Sequence, residues 1–215
     1  MKFNHIIDLD NTYQKSKIWF SSDFHLFHAN AIKHASRPYA NVQENYDAVM
    51  KEINDKVKPK DFLILLGDTI WNSQRTRITN FFLNLPTHNI IYLFGNHDRE
   101  KDYREAIECG LFLSAGRLEH VKFVLEGESY EVSLCHYPLL TWNRKYFGAI
   151  MLHGHCHGAI DDYNESVPDL RVDVGWDSKI ARNRLIELRE IIEYFKQKTK
   201  GQEFAKWNSE NRTLD

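Results

Sequence analysis

At 215 residues, with 42% apolar and 13% aromatic content, the chain is long enough to bury the core of one well-packed domain spanning residues 1–215. A formal net charge of −2 excludes nucleic-acid binding by bulk positive charge and leaves only a local basic patch for that purpose. No apolar run approaches the ~20 residues of a membrane span, no signal-peptide pattern opens the chain, and Cys109, Cys135 and Cys156 lack CxxC spacing, so the expectation is a reduced, cytoplasmic protein without a disulfide framework.

In chain order, KIWFSSD is a short apolar run that stops at Asp23, and it reads as a buried strand. YDAVMKEINDKV places Tyr46, Val49, Met50, Ile53 and Val57 on one helix face. DFLILLGD is a second strand, stopping at Asp68. RITNFFLNL follows as a helix with Ile78, Phe81, Phe82 and Leu85 on one side. NIIYLFGNHD is a third strand, ending in Asn96, His97 and Asp98. VKFVLEGESYEVSL alternates about Gly127 and predicts a hairpin. YEVSLCH ends at His136, and AIMLHGHCH ends in His155 and His157. Leu185, Leu188, Ile191, Ile192 and Phe195 make a last helical stripe. The polar tail after about Gln197 carries no motif and reads as an extra helix or a disordered end.

Strands alternating with helices predict an α/β layered fold, with antiparallel pairing in the second half. In open α/β sheets, ligands gather beyond the carboxyl ends of the strands. Five strands here end in metal-type or acid–base residues, so a single assembled site is the economical expectation. Asp23 and His25 stand two apart, as do His155 and His157, and on an extended strand end such pairs point to one side.

The order DxH (Asp23, His25), GD (Asp68), GNHD (Gly95 to Asp98), a lone His136 and GHxH (Gly154 to His157) resembles the calcineurin-like metallophosphoesterase family. SDFHLFHANAI…RPY and HYPL are similar to a group of small, mostly uncharacterised bacterial and phage phosphoesterases, and VDVGWD (Val172 to Asp177) resembles a segment that closes the fold. The resemblance implies a central mixed β-sandwich flanked by helices and a centre of two divalent metal ions. It implies one ion on Asp23, His25 and His157, another on Asn96, His136 and His155, and Asp68 bridging them. Two such ions can clamp the attacking and leaving oxygens of an in-line displacement and lower the pKa of a bound water. Oxygen and imidazole donors suit Mn, the favoured metal, or Fe, Ni, Co or Zn. His97 would face the substrate as a proton donor, oriented by Asp98. His28 and Asn30, after DxH, and Arg75 and Arg77, after Asp68, are candidate phosphate contacts.

Other readings bear on the same residues. A structural zinc site built on HGHCH alone would need a second spaced ligand pair, and HExxH is absent. His5, His34, His88 and His120 belong to no motif and read as packing or surface residues; His153 reads as a packing residue, and Cys156 and Cys135 as core-facing. The Ser/Thr phosphatases of the superfamily carry an arginine before GNHE and GDxVDRG at the second aspartate, where this chain has Phe94 and GDTIWNS. The expected activity is therefore hydrolysis of small phosphoesters, phosphodiesters or nucleotide-type substrates ahead of monoesters, with nucleic acid a candidate substrate. A non-catalytic interaction scaffold is the competing class. The sequence leaves the oligomeric state open.

Overall fold

The computed structural model describes residues 3–71 and 74–199. These residues fold into two five-stranded sheets. One has the order β1 (His5–Asp8), β6 (Leu118–Leu125), β7 (Glu128–Cys135), β8 (Ile150–His153), β9 (Arg171–Asp173). The other runs β10 (Ile186–Glu187), β2 (Ile18–Ser21), β3 (Phe62–Leu65), β4 (Asn89–Leu93), β5 (Ser114–Gly116). The architecture is the expected mixed β-sandwich with flanking helices.

The apolar runs of β2, β3 and β4 are continuous because both of their faces are covered. Ile18, Phe20, Phe62, Ile64, Ile91 and Leu93 enter the core shared with the opposite sheet. Their neighbours Trp19, Leu63, Leu65, Ile90 and Tyr92 face the outer layer formed with helices α1 (Val42–Lys56) and α2 (Arg75–Leu83). Those helices contribute Val49, Ile53, Ile78, Phe81 and Phe82, the stripes read from the sequence. Helix α1 begins where the Asn41 side chain accepts the N–H groups of Gln43 and Glu44, satisfying donors the first turn leaves open.

The hairpin closes on Glu126 and Gly127, whose φ angles of 56° and 78° form the two-residue left-handed turn that matches strand twist. Antiparallel pairing in the second half holds for β6–β7 and β10–β2, but β7, β8 and β9 are parallel. Residues 136–149 between β7 and β8 are long enough for the crossover that a parallel pair requires. The last helix among the described residues, α3 (Leu188–Lys198), presents Leu188, Ile191, Ile192 and Phe195 to the inter-sheet core, whereas Leu185 lies ahead of it in the outer layer. The expected polar tail lies outside the described residues from 200 onward.

Candidate metal centre

The loops after β2, β3, β4, β7 and β8 carry every motif residue, and the sandwich brings them to one rim. Their backbone is not the extended strand end that the two-residue spacings suggested. Asp23, His25, Asp68, His155 and His157 have φ of 60°, 45°, 51°, 69° and 48°. Left-handed non-glycine residues are uncommon and cost about 1–3 kcal/mol each, so five in one site mark a backbone held by its surroundings. Asp23 N–H donates to the Gly67 carbonyl at 3.0 Å, and His25 N–H to that of Asp68 at 2.9 Å. Close approach explains two motif glycines. A Cβ on Gly95 would lie 2.1 Å from Asp68 Oδ1, and one on Gly154 would lie 2.3 Å from Asp23 Oδ2.

Each of the two buried carboxylates commits one oxygen to the protein and turns the other toward imidazoles. Asp23 Oδ2 accepts the His155 N–H at 2.8 Å. Its Oδ1, buried and without a hydrogen-bond partner among the described residues, lies 3.7 Å from His25 Nε2 and 3.8 Å from His157 Nε2. Asp68 Oδ1 accepts the His97 N–H at 2.9 Å, while Oδ2 lies 3.8 Å from His25 Nε2 and 3.4 Å from His136 Nε2. Asn96 Oδ1 sits 2.9 Å from His136 Nε2 and 2.8 Å from His155 Nδ1. Donor atoms about 2.0–2.2 Å from one ion stand roughly 3–4 Å from each other, so these spacings fit metal coordination. Two overlapping groups, Asp23–His25–His157 and Asp23–Asp68–His136, each place their donor atoms within 4.8 Å of one another. Both contain Asp23. Asp68 Oδ2 stands between His25 and His136, and Asp23 Oδ1 between His25 and His157.

The electrostatics carry the same strain. Burial opposes the Asp23 carboxylate, yet the His25, His136 and His157 rings hold it well below the usual range. Burial opposes a charged His136 as well, but Asp68 and Asp23 push it up to about 9. Both His136 nitrogens face oxygens, Nδ1 that of Leu66 at 2.7 Å and Nε2 those of Asn96 and Asp68, so without a metal the ring holds two protons. A divalent ion would displace the Nε2 proton. Metal uptake at pH 7 is therefore expected to release a proton and to tighten as pH rises toward about 9. Calorimetric titration with Mn²⁺ in buffers of different ionisation enthalpy measures this, and uptake without proton release would refute it. Behind Asp23, burial and the Asp23 charge push Asp173 up to about 7, with Gly175 and Gly158 N–H groups donating to it at 2.7 and 3.1 Å.

Two supports lie in the quoted RPY and VDVGWD segments, whose roles the sequence did not reveal. His157 Nδ1 donates to Asp177 Oδ2 at 2.7 Å, which aims Nε2 at the centre. Asp177 is held in turn by a bidentate pair with Arg37 at 2.8 and 2.7 Å. Arg37 also donates to the Asp23 and Phe24 carbonyls, both at 2.6 Å, and so ties down the DxH loop.

The expected contact between Asp98 and His97 is corrected. Asp98 Oδ2 accepts the N–H groups of Asp68 and Gly95 and the Tyr92 hydroxyl, and Oδ1 accepts the Tyr103 hydroxyl at 2.6 Å. A carboxylate so occupied clamps the GD loop to the GNHD loop rather than steering an imidazole. The His97 ring is 41% exposed, 3.9 Å from Asp68 Oδ2 and 4.6 Å from the Trp71 ring.

An open cleft of about 420 Å³ runs over His25, Asp68, Asn96, His97, His155 and His157. Of the candidate phosphate contacts, His28 lines it, its ring stacked 3.7 Å from that of Trp71. Asn30, Arg75 and Arg77 are exposed and do not line it; the Arg77 guanidinium lies 4.8 Å from the Phe27 ring instead. His34, which belongs to no motif, does line the cleft. So does Cys156, which is half-buried there rather than core-facing, since the loop leaves the strand before it. Cys135 is buried as expected. His153 is buried between the Gly154 carbonyl and Asn164, and burial lowers it to about 4, so it is a neutral packing residue.

The sequence profile of the calcineurin-like phosphoesterases matches residues 16–173, and the chain belongs to that family. Its members are in general metal-dependent phosphoester hydrolases that bind two divalent ions. The chain is 32% identical over 149 residues to an uncharacterized protein of Methanocaldococcus jannaschii, covering 68% of this chain and 73% of that one. It is 28% identical over 200 residues to the Gene 66 protein of Mycobacterium phage D29, covering 82% and 96% of the two chains. In fold it is similar to the crystal structure of a protein of unknown function from Aquifex aeolicus, with a TM-score of 0.60, 21% identity, and coverage of 84% of this chain and 100% of that one. No helix among the described residues is long and apolar enough to cross a membrane.

Proposed function

We propose that residues 1–215 form one cytoplasmic metallophosphoesterase domain that hydrolyses phosphoesters, phosphodiesters and small nucleotide-type substrates ahead of monoesters, at a centre of two divalent ions. The observation that carries this reading is the pair of buried carboxylates, each with one oxygen turned toward two imidazoles. Asp23, His25 and His157 would hold one ion and Asn96, His136 and His155 the other, with Asp68 between them. Mn is the favoured metal, consistent with the mixed oxygen and imidazole set. The bound ions supply Lewis-acid charge and a nucleophile available at neutral pH.

The protein's own groups do the rest. Two carboxylates against two divalent ions leave a net positive site that attracts a phosphate. His97, at the mouth of the cleft, donates a proton from its ring to the departing oxygen. With Asp98 committed elsewhere, the residue is anchored by its backbone N–H on Asp68 and its ring lies beside the Trp71 ring. Phe94 is buried where the Ser/Thr phosphatases carry arginine, which disfavours that activity.

The test is Mn²⁺-dependent hydrolysis of bis-p-nitrophenyl phosphate beside p-nitrophenyl phosphate, in wild type and His97→Ala. Faster diester turnover, reduced about 10²–10⁴-fold in the variant with both ions retained, is the expected result. Faster monoester turnover would reverse the substrate preference. Absence of turnover and of bound metal would leave the interaction scaffold standing.

A further inference from the structure

The candidate metal donors follow the carboxyl ends of the strands, and a different chemistry collects at the amino ends of β2 and β3. A hollow of about 660 Å³ there is lined by Lys15, Lys17, Lys56, Lys58 and Lys60. Lys17 directly precedes β2 and Asp61 directly precedes β3. At about 3.3 Å of rise per residue, strands of this length hold the hollow more than ~10 Å from the metal donors. The lysines outnumber the carboxylates that could neutralise them. Asp61 is buried and accepts the Lys17 and Lys58 backbone N–H groups at 2.8 and 2.9 Å and the Trp19 indole N–H at 3.2 Å. Asp55 pairs with Lys51, which does not line the hollow. Lys17 pairs with Glu187 at 3.1 Å, and Lys58 Nζ donates to the Asp55 carbonyl at 3.0 Å. Among the described residues, the ammonium groups of Lys15, Lys56 and Lys60 have no hydrogen-bond or ion-pair partner. The Lys17 and Lys56 ammonium groups lie 5.3 and 5.9 Å from one Trp19 ring, two like charges gathered on a single indole. Pro59 and Lys60 are shared with a neighbouring hollow of about 470 Å³, whose wall includes Tyr13. The Tyr13 ring stands at 88° to that of Phe62, and the residue is 38% exposed.

We propose that the two joined hollows are a docking surface for single-stranded nucleic acid, set apart from the metal cleft. The lysines meet successive phosphates of the strand, and ammonium groups on flexible stems suit backbone contact that fixes no sequence. The whole chain carries a formal charge of −2, so the attraction for a polyanion is local to this surface. The exposed Tyr13 ring beside the lysines gives an unpaired base a face to stack on, the combination of charge and aromatic platform that single strands use. A duplex keeps its bases stacked on one another and closed to Tyr13. A membrane surface is flat and cannot follow the lysines into a hollow whose Trp19 is only 4% exposed. An acidic peptide would use the charges and leave Tyr13 idle. The contact is one of attachment: the phosphates held here are not those over the metal donors.

The test is fluorescence anisotropy of a labelled twelve-nucleotide oligothymidylate with the full chain, beside turnover of bis-p-nitrophenyl phosphate. Neutralising about five phosphates of a single strand is expected to weaken binding about 10²-fold between 50 and 200 mM KCl. Lys56→Gln combined with Lys60→Gln should lower the slope of log affinity against log salt by about 1.4, with turnover of the small diester unchanged. Tyr13→Ala should weaken the oligothymidylate about tenfold, and Tyr13→Phe, which keeps the ring, should recover most of that loss. A twelve-residue polyglutamate, which carries the charge without the bases, should bind about tenfold more weakly than the oligothymidylate and ignore Tyr13→Ala. An unaltered salt slope in the lysine double variant would place the strand elsewhere and overturn the surface. Polyglutamate binding as tightly as the oligothymidylate, or an oligothymidylate affinity indifferent to Tyr13→Ala, would overturn nucleic acid as its partner. Absence of oligothymidylate binding at low salt would overturn both. Each of these outcomes is read apart from hydrolysis and leaves the metal centre as it stands.

Discussion

Asparagine at position 68 is expected to lower diester turnover by about 10³-fold, roughly 4 kcal/mol of transition-state stabilisation, and to reduce bound metal below two ions per chain. Asp68 is one of two carboxylates among the candidate donors, and its Oδ2 stands 3.8 Å from His25 Nε2 and 3.4 Å from His136 Nε2. An amide at that position keeps the shape and can still accept the His97 N–H through Oδ1. What it loses is the charge that lets two cations approach each other. The effect should therefore fall on metal content and turnover, with the fold intact. Elemental analysis of the dialysed protein beside kcat decides the matter. A variant that binds two ions and turns over like wild type would exclude Asp68 as the bridge.

Strands β2, β3, β4 and β8 were legible because they are buried on both faces, and the β6–β7 hairpin because β6 alternates. Runs such as FLILL and NIIYL have no solvent side, and each stops where a polar residue can reach the rim. That the motifs share one site was legible because strand ends in an α/β sheet converge, whereas the donor set itself came from the family resemblance. The local conformation was not. A two-residue spacing suggests an extended backbone, but Asp23, His25, His155 and His157 are all left-handed, and the N–H groups of Asp23, His25 and His155 are held by acceptors distant in sequence. Asp98 reads as the partner of its neighbour His97 only until Tyr92 and Tyr103 are seen to converge on its carboxylate. Arg75 and Arg77 read as phosphate contacts from their charge and their place after Asp68, whereas the arginine that lines a small hollow beside His97 is Arg99, directly after GNHD. Trp71 could have been noticed as a large aromatic two residues beyond Thr69, in a loop otherwise polar except for Ile70. Nothing in the sequence linked Arg37 to Asp177, 140 positions away.

That link carries the second large effect. Arg37→Met is expected to destabilise the fold by about 3–5 kcal/mol, because it strands the Asp177 carboxylate in a buried position. The two side chains are 0% and 4% exposed. The guanidinium also holds the Asp23 and Phe24 carbonyls, so the DxH loop loses its tie at the same time. Lysine cannot reproduce a fork that meets Asp177 and two carbonyls together, so Arg37→Lys should recover only part of the loss. Pairing Arg37→Met with Asp177→Leu removes the stranded charge, and stability should return by several kcal/mol relative to Arg37→Met alone. Metal affinity should not return with it. His157 would still lack the acceptor that orients its ring, and such a loss weakens metal binding about 10–100-fold. Denaturant unfolding of the metal-free proteins and Mn²⁺ titration of the same variants separate the two roles. A double variant that regained both stability and wild-type affinity would show that the Arg37–Asp177 pair serves the fold alone.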